Sequence, residues 1–263
     1  MPSETIGKTI AVAAGVCVVC SVFVSTAAVY LRPYQVRNKA LDKKKNILVA
    51  AGLLEKGEPA DLDELFDRNI QIKWVDLRTG KYVPENKENQ VAAGYADERK
   101  AARNPQLTEE IKDDIAGIKR RADYQKVYLT KKDGRIDRLI LPVYGKGLWS
   151  TLYGFLALGP DLNTIESFGF FEHEETPGLG GEVDNPRWKT SWNGKEAFDK
   201  NWEPAVKVVK GRAEKGKIHE VDGLSGATLT ARGVDNLVRF WLGDEGFGPF
   251  LEKLREGEGG GNG

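Results

Sequence analysis

Cysteine is almost absent from this chain: of 263 residues only Cys17 and Cys20 carry a thiol, and both lie in one apolar N-terminal run. The remainder therefore builds no disulfide and presents no thiolate to zinc or to an iron–sulfur cluster, and cysteine usage decides no compartment. Histidine is equally scarce, with two residues in all, which excludes a histidine-rich metal site. Net charge is missing too. Lys plus Arg and Asp plus Glu both number 39, so there is no global basic field of the kind that gathers nucleic acid. The sequence contains no G-x-G-x-x-G dinucleotide fingerprint and no coherent nucleophile, base and oxyanion set for hydrolysis. It has one long hydrophobic run, which is no membrane channel of its own.

What is present suits a folded domain on an anchor. With 40% hydrophobic and 30% charged residues, the chain can bury one sizeable core or at most two small ones. Ile10 to Leu31 carries no charge and is close to the roughly 20 residues a helix needs to cross a bilayer. A cleaved secretory signal is the competing reading, since Ser25-Thr26-Ala27 places small residues at a cleavage spacing. The run is long for a signal h-region of roughly 7–15 residues, so it is read as an anchor. Cys17 and Cys20, one helical turn apart, are a membrane-embedded metal or partner contact on one reading and small lipid-compatible residues on the other. Residues 1–9 form a short tail, 10–31 the transmembrane helix, 32–250 the soluble domain and 251–263 a Glu/Gly-rich flexible tail.

Along the soluble part, helical period in Leu41, Ile47, Leu48, Ala51 and Leu54 predicts a helix ended by Gly57 and Pro59. A short helix at 61–66 and a strand at 71–77 follow, closed by a turn at 78–81. Charge dominates 87–121, which reads as a solvated surface with a weak helical signal at 107–118. Strands at 126–129 and 135–143 flank the hairpin chemistry of Lys132-Asp133-Gly134. A glycine and aromatic loop, 145–149, leads into a buried strand ending at Leu158, and Ile165 to Phe171 is a further β-rich run. The stretch from Glu172 to Glu182 is a loop, because Pro177 lacks an N–H and three glycines follow. A short helix near 195–201, an alternating strand at 205–210, a strand at 218–221 and a last helix at 247–255 complete the reading. Interspersed strands with few βα repeats predict an α+β fold: one transmembrane helix, then one soluble domain with a largely antiparallel sheet and flanking helices.

The stretch from Val221 to Thr230 is glycine-punctuated and hydroxyl-rich, and Val234, Leu237, Val238 and Trp241 after it recur at helical spacing. A turn thus delivers Thr228 to a helix start. Two readings stand for the local pattern: Ser225 or Thr228 caps the helix, or the free N–H groups of the helix terminus receive an anion such as phosphate.

Three stretches, Gly145-Lys146-Gly147-Leu148-Trp149-Ser150, His173-Glu174-Glu175-Thr176-Pro177-Gly178-Leu179-Gly180 and Asp222-Gly223-Leu224-Ser225-Gly226-Ala227-Thr228, together resemble a covalent-flavin family. It is that of the C subunit of the sodium-translocating NADH:quinone reductase, with the G subunit of the Rnf electron-transport complex more distant. The resemblance runs from the anchor through Leu242. It implies FMN joined through its phosphate to Thr228, inside a D-x-x-S-G-A-T sequence that a flavin transferase recognises. Asp222, Ser225, Gly226 and Ala227 then serve as recognition sequence and phosphate seat. Lys210 is a candidate polar partner or a solvated strand-end lysine. Trp149 and Leu179 are expected against the ring, and Glu175, Thr176 and Gly178 at its polar atoms. On the bland readings Trp149 is a core anchor and Glu175 a loop salt bridge. His173 is expected to shape its loop.

The resemblance further implies an electron-carrier subunit, not catalytic alone, in an enzyme that oxidises NADH, reduces ubiquinone and exports sodium. Its FMN would stand between an iron–sulfur centre held in the membrane and a covalent FMN on the B subunit. Expected partners are the membrane B, D and E subunits, a flavin transferase during maturation and the membrane itself, with no nucleic acid. The expected location is the bacterial inner membrane, single-pass, with the flavin domain on the periplasmic side. The basic residues Arg32, Arg37, Lys39, Lys43, Lys44 and Lys45 after the helix point the other way by the positive-inside rule, although large domains translocate regardless of flanking charge. Alternatives are an Rnf-type or stand-alone covalent-flavin carrier, or a non-redox anchored periplasmic interaction module in which S-G-A-T is only a helix cap.

Overall fold

The computed structural model describes residues 6–54, 61–96 and 98–257, in two units, Met1–Lys43 and Lys44–Gly263. The apolar run lies in helix α1 (Ile6–Ala50), which contains an 18-residue window of mean hydropathy 2.3 and is long and apolar enough to cross a membrane. Where the sequence predicted two helices there is one. Pro33 removes a single helical N–H, and no glycine follows before Gly52, so no second breaker ends the helix. Gly52, at φ +67, then closes it: the Gly52 amide donates to Val49 O and the Leu53 amide to Leu48 O, both at 3.0 Å, a Schellman arrangement. Gly57 and Pro59, the expected stop, lie outside the described residues.

In the second unit, α2 (Leu62–Asn69) is capped by Asp61, whose carboxylate accepts from the amides of Asp63 and Glu64, a contribution of about 1 kcal/mol. After it come β1 (Gln71–Asp76), β2 (Lys81–Tyr82), α3 (Glu85–Gly94), α4 (Glu98–Ala101), β3 (Thr108–Glu110), β4 (Arg120–Ala122), β5 (Tyr124–Lys132), β6 (Arg135–Lys146), β7 (Thr151–Leu158) and β8 (Thr164–Glu172). A 3-10 helix (Gly180–Asp184), α5 (Pro186–Thr190), β9 (Lys195–Glu196), β10 (Lys207–Val208), β11 (Glu220–Val221), α6 (Thr228–Leu242) and α7 (Gly248–Arg255) complete the order. A seven-stranded sheet in the order β2-β1-β5-β6-β7-β8-β9 is antiparallel at each pairing. The fold is the expected α+β.

Both faces of the sheet are covered. On β6, Leu139, Ile140 and Leu141 are all fully buried, which alternation permits only if each face packs on something. Leu139 and Leu141 join Val234, Leu237 and Trp241 of α6, while Ile140 joins Ile47 and Leu48 at the end of α1 and Phe66 of α2. Burying a side chain such as Val234 or Leu237 stabilises by about 1.5–3 kcal/mol. The Trp241 indole N–H also donates to Tyr144 O at 2.7 Å, pinning α6 to β6.

Four local expectations are corrected. Residues 107–118 form β3 and turns, not a helix, because Gly117 and Lys119 adopt φ of +67 and +66 and Asp114 caps the amides of Ile118 and Lys119. The charged stretch 87–121 is also no mere solvated surface: Tyr95 and Ala101 pack with Trp74, Val83 and Ala122, and Arg121 is buried with Glu109 as partner. The helix near 195–201 is replaced by β9, paired with Thr164 and Ile165, then by a turn in which Asp199 accepts from the amides of Asn201 and Glu203. The last helix, expected at 247–255, is α7, with Leu251 buried; residues 258–263 lie outside the described residues. The strand at 205–210 is reduced to Lys207–Val208, which pairs parallel to β11.

Candidate functional site

The three motifs converge on one side chain. Glu175 is 5% exposed, yet one oxygen accepts from the amides of Trp149 at 2.9 Å and Ser150 at 3.2 Å, and the other from the Thr230 hydroxyl at 2.6 Å. The loop between β6 and β7, the loop after β8 and the first turn of α6 are thereby joined by one carboxylate. Ser150 returns the link, its hydroxyl accepting from the Glu174 amide at 2.8 Å. Burial pushes the Glu175 carboxyl up, but the Thr230 hydroxyl and the amides of Trp149, Ser150 and Leu148 outweigh it and hold it below the usual carboxylate range.

Glycine makes the junction possible. A Cβ on Gly147 would sit 2.6 Å from Glu175 Oε1, one on Gly180 2.6 Å from Thr230 Oγ1, and one on Gly233 2.4 Å from Lys146 O. Helix α6 and both loops meet at backbone distance, which a side chain at any of the three would prevent.

The loop after β8 is built from its own chemistry. Pro177 and Gly178 are the central residues of a turn closed by the Leu179 amide on Thr176 O at 3.1 Å, and Gly178 takes φ +75, as a type II turn requires. His173 shapes its start: Nδ1 accepts from the Glu175 amide at 3.2 Å, which places the proton on Nε2, 2.8 Å from Asp184 Oδ2. Lys189 completes the group on Asp184 Oδ1 at 2.7 Å.

The turn into α6 is anchored from behind. The Gly223 amide donates to Gly211 O at 2.7 Å, and a Cβ there would lie 2.2 Å from Val209 O. Asp222 is part of this anchoring: its carbonyl accepts from the Trp188 indole at 2.7 Å and its carboxylate from the Ala213 amide at 2.8 Å. Gly226, at φ +74, turns the chain so that Ala227 becomes the N-cap residue of α6. Alanine has no acceptor to offer, so the capping role considered for Ser225 or Thr228 is not the one the helix uses, and the opening N–H groups carry no side-chain cap. Thr228 is the first helical residue, and it is exposed.

Each residue singled out in the sequence can now be placed. Thr228, Ser225 and Gly226 are exposed on the turn, with Ala227 buried beneath. Leu179 lies against Gly226, its Cδ2 3.2 Å from a Cβ built there, and is 47% exposed. Trp149 is no core anchor, being 68% exposed. Thr176 and Gly178 are exposed on their turn. Glu175 makes no salt bridge among the described residues; it is buried, and both of its oxygens accept hydrogen bonds from within the protein. Lys210 is exposed, between the two residues on which Gly223 packs. Leu148 and Leu229, 42% and 54% exposed, join the apolar surface unforeseen. So does Thr230 at its root. Its signal was in the spacing: Thr230, Val234, Leu237 and Trp241 share one helical stripe, which puts a hydroxyl in the core and obliges it to find a partner.

A glycine-lined junction on an antiparallel sheet, with an open helix start and an exposed apolar rim, is the seat of an FMN-binding domain: the family model of that description matches residues 147–243, from the Gly147 loop to the glycine that closes α6. Over 261 residues the chain is 52% identical to the C subunit of the Na(+)-translocating NADH-quinone reductase of Pseudomonas aeruginosa, covering 97% of this chain and 98% of that relative. The corresponding protein of Vibrio campbellii is 48% identical over 259 residues, 97% of each chain. Among solved structures, Shewanella oneidensis NqrC superimposes with a TM-score of 0.75 at 38% identity, covering 84% of this chain and 99% of that one. The C subunit from Parabacteroides distasonis gives 0.61 at 27% identity, covering 84% and 96%. The chain belongs to the family formed by the C subunits of Na(+)-translocating NADH-quinone reductases.

Proposed function

We propose that this chain is a membrane-anchored electron carrier of the sodium-pumping complex, holding FMN as a phosphate ester on the Thr228 hydroxyl. The observation that carries the reading is the exposure of Thr228 at the first position of α6, behind an N-cap that is alanine. Its hydroxyl is free to be the acceptor in phosphoryl transfer, and uncapped helix N–H groups suit the single charge of a diester without a cluster of basic side chains. Leu148, Trp149, Leu179 and Leu229 offer an apolar rim suited to a flat ring, and the Thr176 to Leu179 turn and Lys210 offer polar groups beside it. FMN bound there would accept and pass on electrons. The protein's part is to fix its attachment atom, shield one side and support the loops from beneath. NADH oxidation and quinone reduction fall to other subunits, with the membrane B, D and E subunits as partners and a flavin transferase needed for maturation.

The alternative of a non-redox module rested on a Ser225 or Thr228 cap, and α6 starts without one. As a test, chain produced with a flavin transferase should show flavin fluorescence on a denaturing gel, and Thr228→Ala should abolish it; fluorescence persisting in the variant rules out the attachment site. For location we propose the inner membrane with the domain outside the cytoplasm. A reporter fused after Gly263 should be active only in the periplasm, and a cytoplasmic signal would reverse the assignment.

A further inference from the structure

We propose that Glu175 is the positioning residue of the flavin seat: its carboxylate locks the Leu148–Ser150 loop and the first turn of α6 into one frame before Thr228 is modified. This rests on the attachment reading above. The geometry separates Glu175 from the residues that would touch FMN. Both of its oxygens are engaged by the protein, and its side chain is buried, whereas Trp149, Leu179 and Thr228 are exposed. Its partners come from segments 25, 26 and 55 residues away, so no local turn can replace it.

The frame is over-determined around that one group. Gly147 and Gly180 leave no room for a side chain beside its two oxygens, and His173 Nδ1 fixes its backbone amide. The donors it receives are backbone amides and one hydroxyl; none carries charge. An anion held by neutral donors shortens and strengthens each bond, and an acceptor-only group orients all of its donors inward. A glutamine of the same shape has one oxygen for the two amides and an NH2 where Thr230 now donates. That reverses the Thr230 bond and frees its hydroxyl proton.

The test uses the full chain in detergent, with and without a co-expressed flavin transferase. Amide exchange is read in the unmodified chain, so loop order is measured apart from flavin loading. Glu175→Leu should speed exchange at Trp149 and Ser150 at least tenfold while amides of β6 and β7 keep their protection. Glu175→Gln should give a smaller acceleration at the same two amides, and Glu175→Asp one between wild type and leucine. In the flavin-loaded Glu175→Gln chain the visible circular dichroism of the flavin should weaken, because the ring is held in a looser frame. Unchanged exchange and an unchanged flavin dichroism in the glutamine variant would overturn the proposal. Should Glu175→Leu fail to fold, the glutamine variant and Thr230→Val still decide it. Loss of covalent flavin in Thr228→Ala together with wild-type behaviour in Glu175→Gln would sink this inference alone; retained flavin in Thr228→Ala would sink the attachment reading instead.

Discussion

Two carboxylates in this domain do the same chemistry at different range. Asp161, in the turn between β7 and β8, accepts from the amides of Asn163 and Thr164 at 3.1 and 2.9 Å and from the Thr164 hydroxyl at 2.6 Å. Glu175 likewise accepts from two amides and a threonine hydroxyl, at 2.9, 3.2 and 2.6 Å. Asp161 finds its donors two and three residues ahead, exposed to water; Glu175 gathers them from two other segments, below the surface. The first closes a hairpin. The second closes a site, and whatever happens to it is felt by three motifs at once.

Breaking each hub should expose the difference most strongly. Glu175→Leu leaves two part-buried amides and the buried Thr230 hydroxyl without an acceptor, and at about 1–3 kcal/mol per orphaned group the loss should be about 3 kcal/mol or more. Asp161→Ala frees its donors to water, and about 1 kcal/mol is expected for a lost turn cap of this kind. Urea unfolding of the two variants measures both, and equal losses would show that range and burial do not matter here.

A partial break sharpens the contrast. Thr230→Val keeps the volume on the buried stripe of α6 but removes the hydroxyl from Glu175 Oε2, and loss of a hydrogen bond to a charged group costs about 1.5–3 kcal/mol. The Trp149 and Ser150 amides remain on the other oxygen, so the penalty should stay below that of Glu175→Leu. A double-mutant cycle over the pair reads the coupling directly, and a coupling near zero would make the 2.6 Å contact energetically idle.

Acid should act on both hubs in the same direction. Burial pushes each carboxyl up, and hydrogen bonds reverse it, from Thr164 and Asn163 at Asp161 and from Thr230, Trp149, Ser150 and Leu148 at Glu175. Both end below their ordinary values of 3.8 and 4.5. A carboxyl depressed in the folded state stabilises the fold above its unfolded pKa and loses that contribution as pH falls through the folded one. The stability gap between wild type and Glu175→Gln should therefore be full above about pH 4.5 and close on further acidification. For Asp161→Asn the closure should begin at lower pH, below 3.8. A gap that stays constant through the acid range would mean that Glu175 is held by shape and not by charge.

Local features were legible in the sequence because they are made of neighbouring residues. The Asp133-Gly134 hairpin, the loop around Pro177 and the α6 stripe each carry their own signal within a few positions. What was hidden depends on residues far apart meeting. Nothing near Glu175 announces amides 25 residues before it and a hydroxyl 55 residues after it. Asp222 is similar: its carboxylate accepts from the amide of Ala213, nine residues before it, a contact that the local sequence does not announce. Charge content misled at 87–121, where two apolar residues, Tyr95 and Ala101, pack with Trp74, Val83 and Ala122. The Trp149 loop read correctly as a loop, with its tryptophan exposed and its backbone amide on Glu175.

The smallest expected effect on stability is the most informative for function. Thr228 and Thr230 are two residues apart, so they project about 200° apart around α6, one into water and one into the core. Thr228→Ala removes an exposed hydroxyl with no capping role, and surface changes of this kind fall within about 0.5 kcal/mol. Alanine is also the better helix former, which trims the loss further. The variant should thus unfold at the wild-type urea midpoint when both are compared without flavin, while losing covalent flavin altogether. Thr230→Val should do the reverse, shifting the midpoint and keeping the attachment atom. Were Thr228→Ala to destabilise the unmodified chain by as much as Thr230→Val, Thr228 would have to be holding the start of α6, and the separation of an outward, modifiable threonine from an inward, structural one would fail.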